Sequence, residues 1–274
     1  MTTRLWGSGE THRGHVREDN QDVILVEPDL GLYAVLDGMG GANAGDVASR
    51  MAGQAIAACM RKKSRIRRHA PRQLLELALQ TANVEVFTAA QQRRDYRGMG
   101  TTIVACLVVD PTHVVIGHAG DSRAYLLRDE ELVALTRDHT VAQDLVDAGE
   151  LSFREMEHSP DKHMLTRNLG HGYGVRLDVL EQTLKPGDRL LLCSDGLYGG
   201  ASVSSIRRVL ASRDAPEQVA HELVELVLRG EASDNVSAIV LAVDGGRVRA
   251  AKDRRSSRTQ ARRPRASGSR TARR

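Results

Sequence analysis

The sequence predicts an α+β fold with mainly antiparallel sheets and with helices on their outer faces. Apolar, β-branched segments at 101–109 and 114–118 are joined by residues 110–113 alone, and a link of that length excludes a crossover helix. An alanine-rich stretch at 44–60 and a second stretch at 74–86, which starts just after Pro71, precede them and have apolar residues at helical spacing. Hairpins therefore alternate with blocks of helix, whereas an α/β protein would repeat β-α-β units.

The remaining elements follow from local signals along the chain. Three short apolar runs predict strands at 124–127, 190–193 and 236–243, and helical spacing predicts a helix at 215–228. Residues 139–175, which we call the covering segment, contain many charges, Pro160 and four histidines. This composition predicts short helices at the surface. Such a segment either covers a site or is a surface insertion with a structural role alone.

Composition excludes several classes of protein. Of the 274 residues, 41% are hydrophobic and 27% are charged, as in ordinary globular proteins and unlike disordered or collagen-like chains. No apolar run approaches the roughly 18 residues of a membrane helix, and the N-terminus has no apolar stretch that would serve as a signal peptide. Cys59, Cys106 and Cys193 are odd in number and far apart, which indicates buried thiols in a reducing compartment. We therefore expect a cytoplasmic protein without membrane insertion.

Positive charge is concentrated at the end of the chain. Residues 246–274 contain twelve Lys and Arg and one acid, which leaves 27 basic and 34 acidic residues at positions 1–245. Because like charges repel and apolar side chains are scarce, we expect a folded domain at 1–245 and a basic, disordered tail at 246–274. The tail could contact nucleic acid or an acidic partner, but a solvated end is the default interpretation. The basic run at 61–72 is interpreted as a solvated loop between two helices.

Four aspartates share one pattern, a position beside turn residues at the end of an apolar strand. Asp37, Asp121 and Asp195 each follow an apolar segment, and Asp234 comes just before the last strand. A strand end delivers its carboxylate to the rim of a sheet, and a neighbouring glycine lets other backbone come close. One such aspartate alone is usually a simple turn residue. Four of them together indicate carboxylates that converge at one site.

Converging carboxylates repel one another and resist losing their water unless a cation lies among them. Oxygen ligands suit Mg²⁺ and Mn²⁺, and the sequence has no clustered cysteines or paired histidines at zinc spacing. Arg17, in a polar segment near the N-terminus, is a fork-shaped donor suited to a phosphate dianion. The alternative for Arg17 is a surface ion pair with Glu18 or Asp19.

Seven sets of short motifs occur along the chain in a fixed order. They are Arg17-x-x-Asn20-x-Asp22, Asp37-Gly-Met-Gly-Gly41, Met99-Gly-Thr-Thr102, Gly120-Asp-Ser-Arg123, Leu165-Thr-Arg167 with Leu169-Gly170, Ser194-Asp-Gly196, and Asp234-Asn235. This order resembles that of the PP2C-type (PPM) metal-dependent serine/threonine protein phosphatases, and of the bacterial branch in particular. The motifs run from about residue 9 to residue 243, so the resemblance covers the predicted domain and omits the tail.

The resemblance implies a four-layer α-β-β-α sandwich, in which two mainly antiparallel sheets are flanked by helices and a metal pair lies in a cleft at one edge. Asp37 matches the carboxylate that bridges both metals, and the carbonyl of Gly38 matches a ligand of one of them. Asp195 and Asp234 match ligands of the other metal. The resemblance thus assigns catalysis to Asp37, Asp195 and Asp234, which would act through two Mn²⁺ or Mg²⁺ ions.

Three further residues take roles from the resemblance. Asp22 matches an acid that supports the metal cluster through bound water, and Asp121 matches a residue of a third, weaker metal site in bacterial members. Arg17 matches the phosphate-binding arginine. Residues near 139–170, which are most of the covering segment, fall where the family has a mobile flap, and this would give the segment a function.

The implied activity is hydrolysis of phosphoserine and phosphothreonine on proteins, by a water activated at a binuclear Mn²⁺ or Mg²⁺ centre and without a phosphoenzyme. The implied partners are phosphorylated proteins and a bacterial Ser/Thr kinase that the enzyme opposes, and we expect a monomer. One alternative is a catalytically silent, phosphatase-like binding module, which should lack core ligands that this sequence retains. Another is a nucleic-acid-binding protein that uses the basic tail, whose binding would be driven by phosphate contacts and be sensitive to salt.

Overall fold

The computed structural model describes residues 3–40, 44–62 and 70–244. The predicted tail at 246–274 and positions 63–69 of the basic run lie outside the described residues. The strands in this part of the chain are β1 (Arg4–His12), β2 (Asp22–Glu27), β3 (Leu32–Met39), β4 (Gly100–Thr101), β5 (Ile103–Asp110), β6 (His113–Ala119), β7 (Arg123–Arg128), β8 (Glu131–Ala134), β9 (Asp178–Thr183), β10 (Arg189–Cys193) and β11 (Val236–Asp244). The helices are α1 (Ala44–Arg61), α2 (Pro71–Gln92), α3 (Val141–Asp147), α4 (Phe153–Met156), α5 (Asp195–Gly200), α6 (Val203–Leu210) and α7 (Pro216–Leu228).

Two antiparallel sheets form the centre of the fold. One sheet has the strand order β1-β11-β10-β7-β8, and the other has the order β2-β3-β5-β6-β9, with β4 paired to the end of β3. The predicted hairpin is confirmed, because β5 and β6 pair antiparallel over nearly their full length. Among the described helices, none combines the length and the apolarity that crossing a membrane requires.

Alternating apolar side chains along the strands separate the layers. In β3, Tyr33 and Val35 pack between the two sheets, whereas Ala34 and Leu36 pack against helices α1 and α2. Strands β10 and β11 alternate in the same way, with their outer faces packed against α5, α6 and α7. Because apolar side chains on both faces of these strands are packed in apolar clusters, the sheets are covered on both sides. The result is a four-layer α-β-β-α sandwich, which confirms the predicted fold class.

The structure adds strands that the sequence analysis did not predict, notably β1, β2 and β9. Strand β1 lacks the usual alternation of apolar and polar residues because it has glycine at positions 7 and 9. Glycine is needed there, since an added Cβ at Gly7 or Gly9 would come within 3 Å of a side chain of β11. The second helix begins at Pro71, where its start was expected, since proline fits the first helical turn. The covering segment contains the short helices α3 and α4, in agreement with the prediction.

A buried histidine pair lies where the covering segment meets β6. The ring of His118 packs on the ring of His139 with a centroid distance of 4.5 Å. Neither ring nitrogen of His118 has a hydrogen-bond partner among the described residues. Burial, and to a smaller extent the neighbouring His139, lowers the pKa of His118 to about 3, while the charges of Asp178 and Arg167 act in opposite directions. His118 is therefore neutral in the folded protein at mildly acidic pH.

We expect His118 to destabilise the folded protein as the pH falls below about 6.5. The unfolded chain takes up a proton on this imidazole near pH ~6.5, but the folded chain does so only at about 3, so acid favours unfolding. The linked loss in the free energy of unfolding reaches about 2 kcal/mol near pH ~5. Other groups that titrate in this range are common to the parent and to His118→Leu, so between pH ~7.5 and ~5 urea titrations should show a change in the free energy of unfolding that is about 2 kcal/mol less favourable in the parent than in the variant. The exposed His158→Leu should change with pH as the parent does, and an equal change in His118→Leu and the parent would contradict a neutral buried ring.

Candidate metal centre and cleft

Asp22 and Asp37 lie directly opposite each other on the paired strands β2 and β3. Asp37 follows the alternation of Tyr33 and Val35, so its side chain lies on the face between the sheets, at the end of the strand. Side chains opposite each other on antiparallel strands have Cβ atoms about 5 Å apart, and like charges in such a pair repel. The register of one hairpin therefore brings two carboxylates together.

The main chain of Asp37 is held by two threonines. Its N–H donates to Thr102 Oγ1 over 3.0 Å, and its carbonyl oxygen accepts from Thr102 N over 2.8 Å and from Thr101 Oγ1 over 3.0 Å. The next residue, Gly38, has no room for a side chain, because a Cβ there would lie 2.1 Å from the carbonyl oxygen of Gly45. Glycine at this position allows the start of α1 to pack directly against the end of β3.

Asp195 and Asp234 lie beside the ends of two strands of the other sheet. Asp195 is the first residue of α5, immediately after β10, and Asp234 lies just before β11. A Cβ on Gly196 would lie 2.0 Å from the carbonyl oxygen of Asn235, so glycine is what lets these two segments approach each other. Asn235 accepts from Gln21 N over 2.8 Å, which ties the same segments to the residue before β2.

Asp22 receives a directed chain of hydrogen bonds. Its Oδ2 atom accepts from Ser194 Oγ and from Ser237 Oγ, each over 2.7 Å. Because the Ser237 hydroxyl donates to Asp22, it accepts from Thr11 Oγ1 over 2.7 Å, and Thr11 in turn accepts from Asn20 Nδ2 over 2.9 Å. All donors thus point towards the carboxylate. The other oxygen of Asp22, Oδ1, is buried and has no hydrogen-bond partner within the described residues.

The site concentrates negative charge in a buried place. Burial raises the pKa of Asp22 to about 7, and repulsion from Asp195 and Asp234 adds to this increase. The hydrogen bonds from the two serines lower the same pKa but do not cancel the effect of burial. Burial and the charge of Asp22 raise the pKa of Asp37 well above its usual range. Burial and the charge of Asp195 raise the pKa of Asp121 to about 8. Oxygen-rich, mutually repelling carboxylates with an unpartnered oxygen fit divalent cations such as Mn²⁺ or Mg²⁺.

His163 of the covering segment joins this cluster, which the sequence analysis did not predict. Three possible ligand atoms, one from each of His163, Asp121 and Asp195, lie within 4.8 Å of one another. The Nδ1 atom of His163 is 3.6 Å from Asp195 Oδ2. Tyr198 of α5 donates to the carbonyl oxygen of Asp121 over 3.0 Å and so fixes that turn. Carboxylate ligands suit Mn²⁺ and Mg²⁺, and an imidazole nitrogen is a common ligand of transition metals. Nothing in the sequence singles out His163, because it was one of four histidines in a polar segment.

Arg17 lies at the acids rather than in the alternative surface pair with Glu18 or Asp19. Its Nη2 atom donates to Asp234 Oδ2 over 2.8 Å, and this contact raises the pKa of Arg17. The side chain of Arg17 remains 56% exposed, so part of the guanidinium faces solvent. A cation in this position can bind an anion that reaches the carboxylate cluster.

These residues surround a cleft of about 960 Å³. The predicted site residues that line it are Arg17, Asp37, Gly38, Asp121, Asp195 and Asp234. Asp22 is buried behind them, in contact with the serines. The covering segment borders the opposite side through residues such as His163, Leu165 and Asn168. The structure therefore brings every predicted site residue to one place.

Comparisons with known proteins agree with this arrangement. The family model described as protein phosphatase 2C matches residues 6–245. The chain is 36% identical over 243 residues to the serine/threonine protein phosphatase PstP of Mycobacterium tuberculosis, covering 89% of this chain and 46% of that protein. It is 32% identical over 238 residues to the serine/threonine phosphatase stp of Listeria monocytogenes, covering 85% and 94%. The chain thus spans about half the length of the mycobacterial relative.

Solved structures show the same likeness. A crystal structure of the Mycobacterium tuberculosis serine/threonine phosphatase PstP/Ppp superposes with a TM-score of 0.79 at 35% identity, over 88% of this chain and 99% of that chain. The catalytic domain of PstP in complex with two manganese ions superposes with a TM-score of 0.77 at 35% identity, over 89% and 100%. The family match over most of the chain, with identities above 30%, establishes that this chain belongs to the protein phosphatase 2C family.

Proposed function

We propose that this chain is a metal-dependent protein serine/threonine phosphatase, which hydrolyses phosphoserine and phosphothreonine with the help of two Mn²⁺ or Mg²⁺ ions. The observation that carries the proposal is the convergence of Asp37, Asp195 and Asp234 in one cleft, with Arg17 beside them. The names of the relatives and the manganese complex of the PstP catalytic domain support it.

The metal ligands in this proposal come from both sheets. Asp37 and the carbonyl of Gly38 would hold one ion, and Asp37, Asp195 and Asp234 would hold the other. Asp121 would take part in a third, weaker site, where His163 offers a further ligand atom. When bound, a divalent ion pair lowers the pKa of water towards neutrality and offsets phosphate charge.

The side chains of this protein perform the binding and orienting steps. Arg17 binds the phosphate dianion, and its contact with Asp234 keeps the guanidinium beside the acids. The serine hydrogen bonds hold Asp22 with its free Oδ1 in the buried cluster, where the acid supports the ligands around it. No cysteine is placed as a nucleophile among the described residues, because Cys59, Cys106 and Cys193 are buried and burial raises the pKa of Cys193 to about 12.

The biological setting extends this proposal. Phosphoprotein substrates require a Ser/Thr kinase that phosphorylates them, and we place both enzymes in the cytoplasm of the same cell. We further propose that the domain at 1–245 acts as a monomer and that the basic tail at 246–274 is a separate, disordered segment.

A panel of phosphopeptides tests the proposed activity. The full chain should release phosphate from phosphoserine and phosphothreonine peptides in Mn²⁺, and from the matched phosphotyrosine peptide at least about tenfold more slowly. EDTA should abolish release, and added Mn²⁺ should restore it. Equal activity in EDTA would contradict the metal dependence. Preference for phosphotyrosine would contradict the substrate class, and tight Mn²⁺ binding without any hydrolysis would favour a silent binding module.

A further inference from the structure

A second, smaller cavity of about 360 Å³ adjoins the catalytic cleft. It shares His163, Asp195 and Asp234 with the cleft and continues from them towards α5 and α7. We call it the flanking cavity, and define it by Lys162, Gly196, Gly199, Gly200, Val227 and Glu231. The two cavities therefore meet at the same pair of acids.

Polypeptide substrates need room beside the acids that small phosphate esters do not need. Consecutive Cα atoms are about 3.8 Å apart, so the neighbours of a phosphorylated residue need space beside the place where its phosphate binds. The flanking cavity borders Asp195 and Asp234 directly, and it therefore lies on a path that a bound peptide can take. This continuity with the cleft favours a segment of the substrate itself as the occupant.

Three glycines form one wall of the flanking cavity, and packing explains only two of them. A Cβ on Gly196 would lie 2.0 Å from the carbonyl oxygen of Asn235, and a Cβ on Gly200 would lie 2.5 Å from Val227 Cγ1. At Gly199 nothing lies within 4 Å of such an atom, and the residue is not in the left-handed region. Glycine inside a helix costs about 1 kcal/mol relative to alanine. The fold therefore does not require glycine at 199, where the exposed main chain forms part of the cavity wall.

The other walls suit a polypeptide. Val227 of α7 is buried against Gly200 at the base of the cavity, and Lys162 of the covering segment and Glu231 after α7 supply one charge of each sign. We propose that the flanking cavity binds the residue that directly adjoins the phosphorylated serine or threonine, with its main chain against the wall at Gly199. This inference rests on the proposed phosphatase function and adds that the substrate is an extended segment of a phosphoprotein.

Filling the cavity from Gly199 tests the inference. A side chain at this position projects into open space, so Gly199→Ala and Gly199→Leu should both fold. We expect Gly199→Leu to lower kcat/KM for a phosphothreonine peptide at least about tenfold more than kcat/KM for p-nitrophenyl phosphate, which has no flanking residue. Gly199→Ala should lower the ratio of the two values by about threefold. Thermal melting first establishes whether each variant is folded. If Gly199→Leu is not folded, the result for Gly199→Ala decides whether the inference holds.

Gly174→Leu is the matched control. Gly174 also has nothing within 4 Å of an added Cβ, is not in the left-handed region, and lies outside both cavities. Its ratio of peptide to p-nitrophenyl phosphate activity should equal that of the parent. An active parent with an unchanged ratio in both Gly199 variants would overturn the flanking cavity alone. A parent that hydrolyses neither substrate would overturn the proposed function and the cavity's role with it.

Discussion

Asp37→Asn should lower kcat/KM for a phosphothreonine peptide in Mn²⁺ by at least about 10³-fold and leave the chain folded. Asp37 is the proposed ligand of both ions, and its main chain is fixed by Thr101 and Thr102, so the asparagine keeps the position and loses only the charge. An amide oxygen is a weaker ligand than a carboxylate for a hard cation. Initial rates over a range of peptide and Mn²⁺ concentrations measure the loss.

Thermal stability gives a second readout of Asp37, independent of catalysis. A ligand that binds only the folded state stabilises it by about 2.7 kcal/mol at 100 times its dissociation constant, so Mn²⁺ should raise the melting temperature of the parent. This increase should be largely lost in Asp37→Asn. In EDTA the variant should be at least as stable as the parent, because burial and Asp22 raise the pKa of Asp37 and its charge therefore opposes folding.

Asp29→Asn is the control for this experiment. Asp29 is exposed in the turn between β2 and β3, on the same hairpin as Asp37 but away from the cleft. It should keep the activity and the Mn²⁺ stabilisation of the parent. Activity of Asp37→Asn within a few-fold of the parent would show that this carboxylate does not hold the metals.

The position of Asp37 could be predicted from the sequence because the reasons for it are local. An apolar run that ends at the aspartate predicts a carboxylate at the rim of a sheet, and the following glycines indicate a close approach of backbone. Asp195 and Asp234 follow the same logic, since each lies beside the end of a buried strand. Strand patterns alone do not show that these aspartates meet at one metal centre. That prediction came from the resemblance of the motif order to a known family.

The surroundings of Asp22 and the position of His163 could not be predicted in this way. The hydrogen bond between Asp22 and Ser237 joins residues 215 positions apart, and it depends on how one sheet lies on the other. His163 reaches Asp195 from an irregular segment whose path no periodicity describes. Strand β1 was missed because its glycines, required by close packing on β11, remove the alternation on which a strand prediction depends.

The double variant Ser194→Ala and Ser237→Ala should weaken Mn²⁺ binding by about 10- to 100-fold, although neither serine is a proposed ligand. Their hydroxyls are the donors that hold Asp22 Oδ2, and Ser194, at the start of α5, uses its hydroxyl for this contact instead of capping the helix. Without them the buried carboxylate loses its two partners, and its protonated form is favoured over the charged form that supports a cation. Isothermal titration of the metal-free protein with Mn²⁺ measures the change.

The same variant separates positioning from general damage to the fold. Ser237 lies in β11 and Ser194 directly after β10 of the same sheet, whereas Asp22 lies in the other sheet, so these hydrogen bonds join the sheets at the edge where the acids converge. We therefore expect Mn²⁺ affinity and the free energy of unfolding to fall together, the latter by about 1.5–3 kcal/mol for each bond to the charged group. Ser204→Ala, an exposed position on α6, should change neither quantity. A double variant that is destabilised but binds Mn²⁺ as tightly as the parent would show that the serines hold the sheets together without orienting Asp22 for the metal.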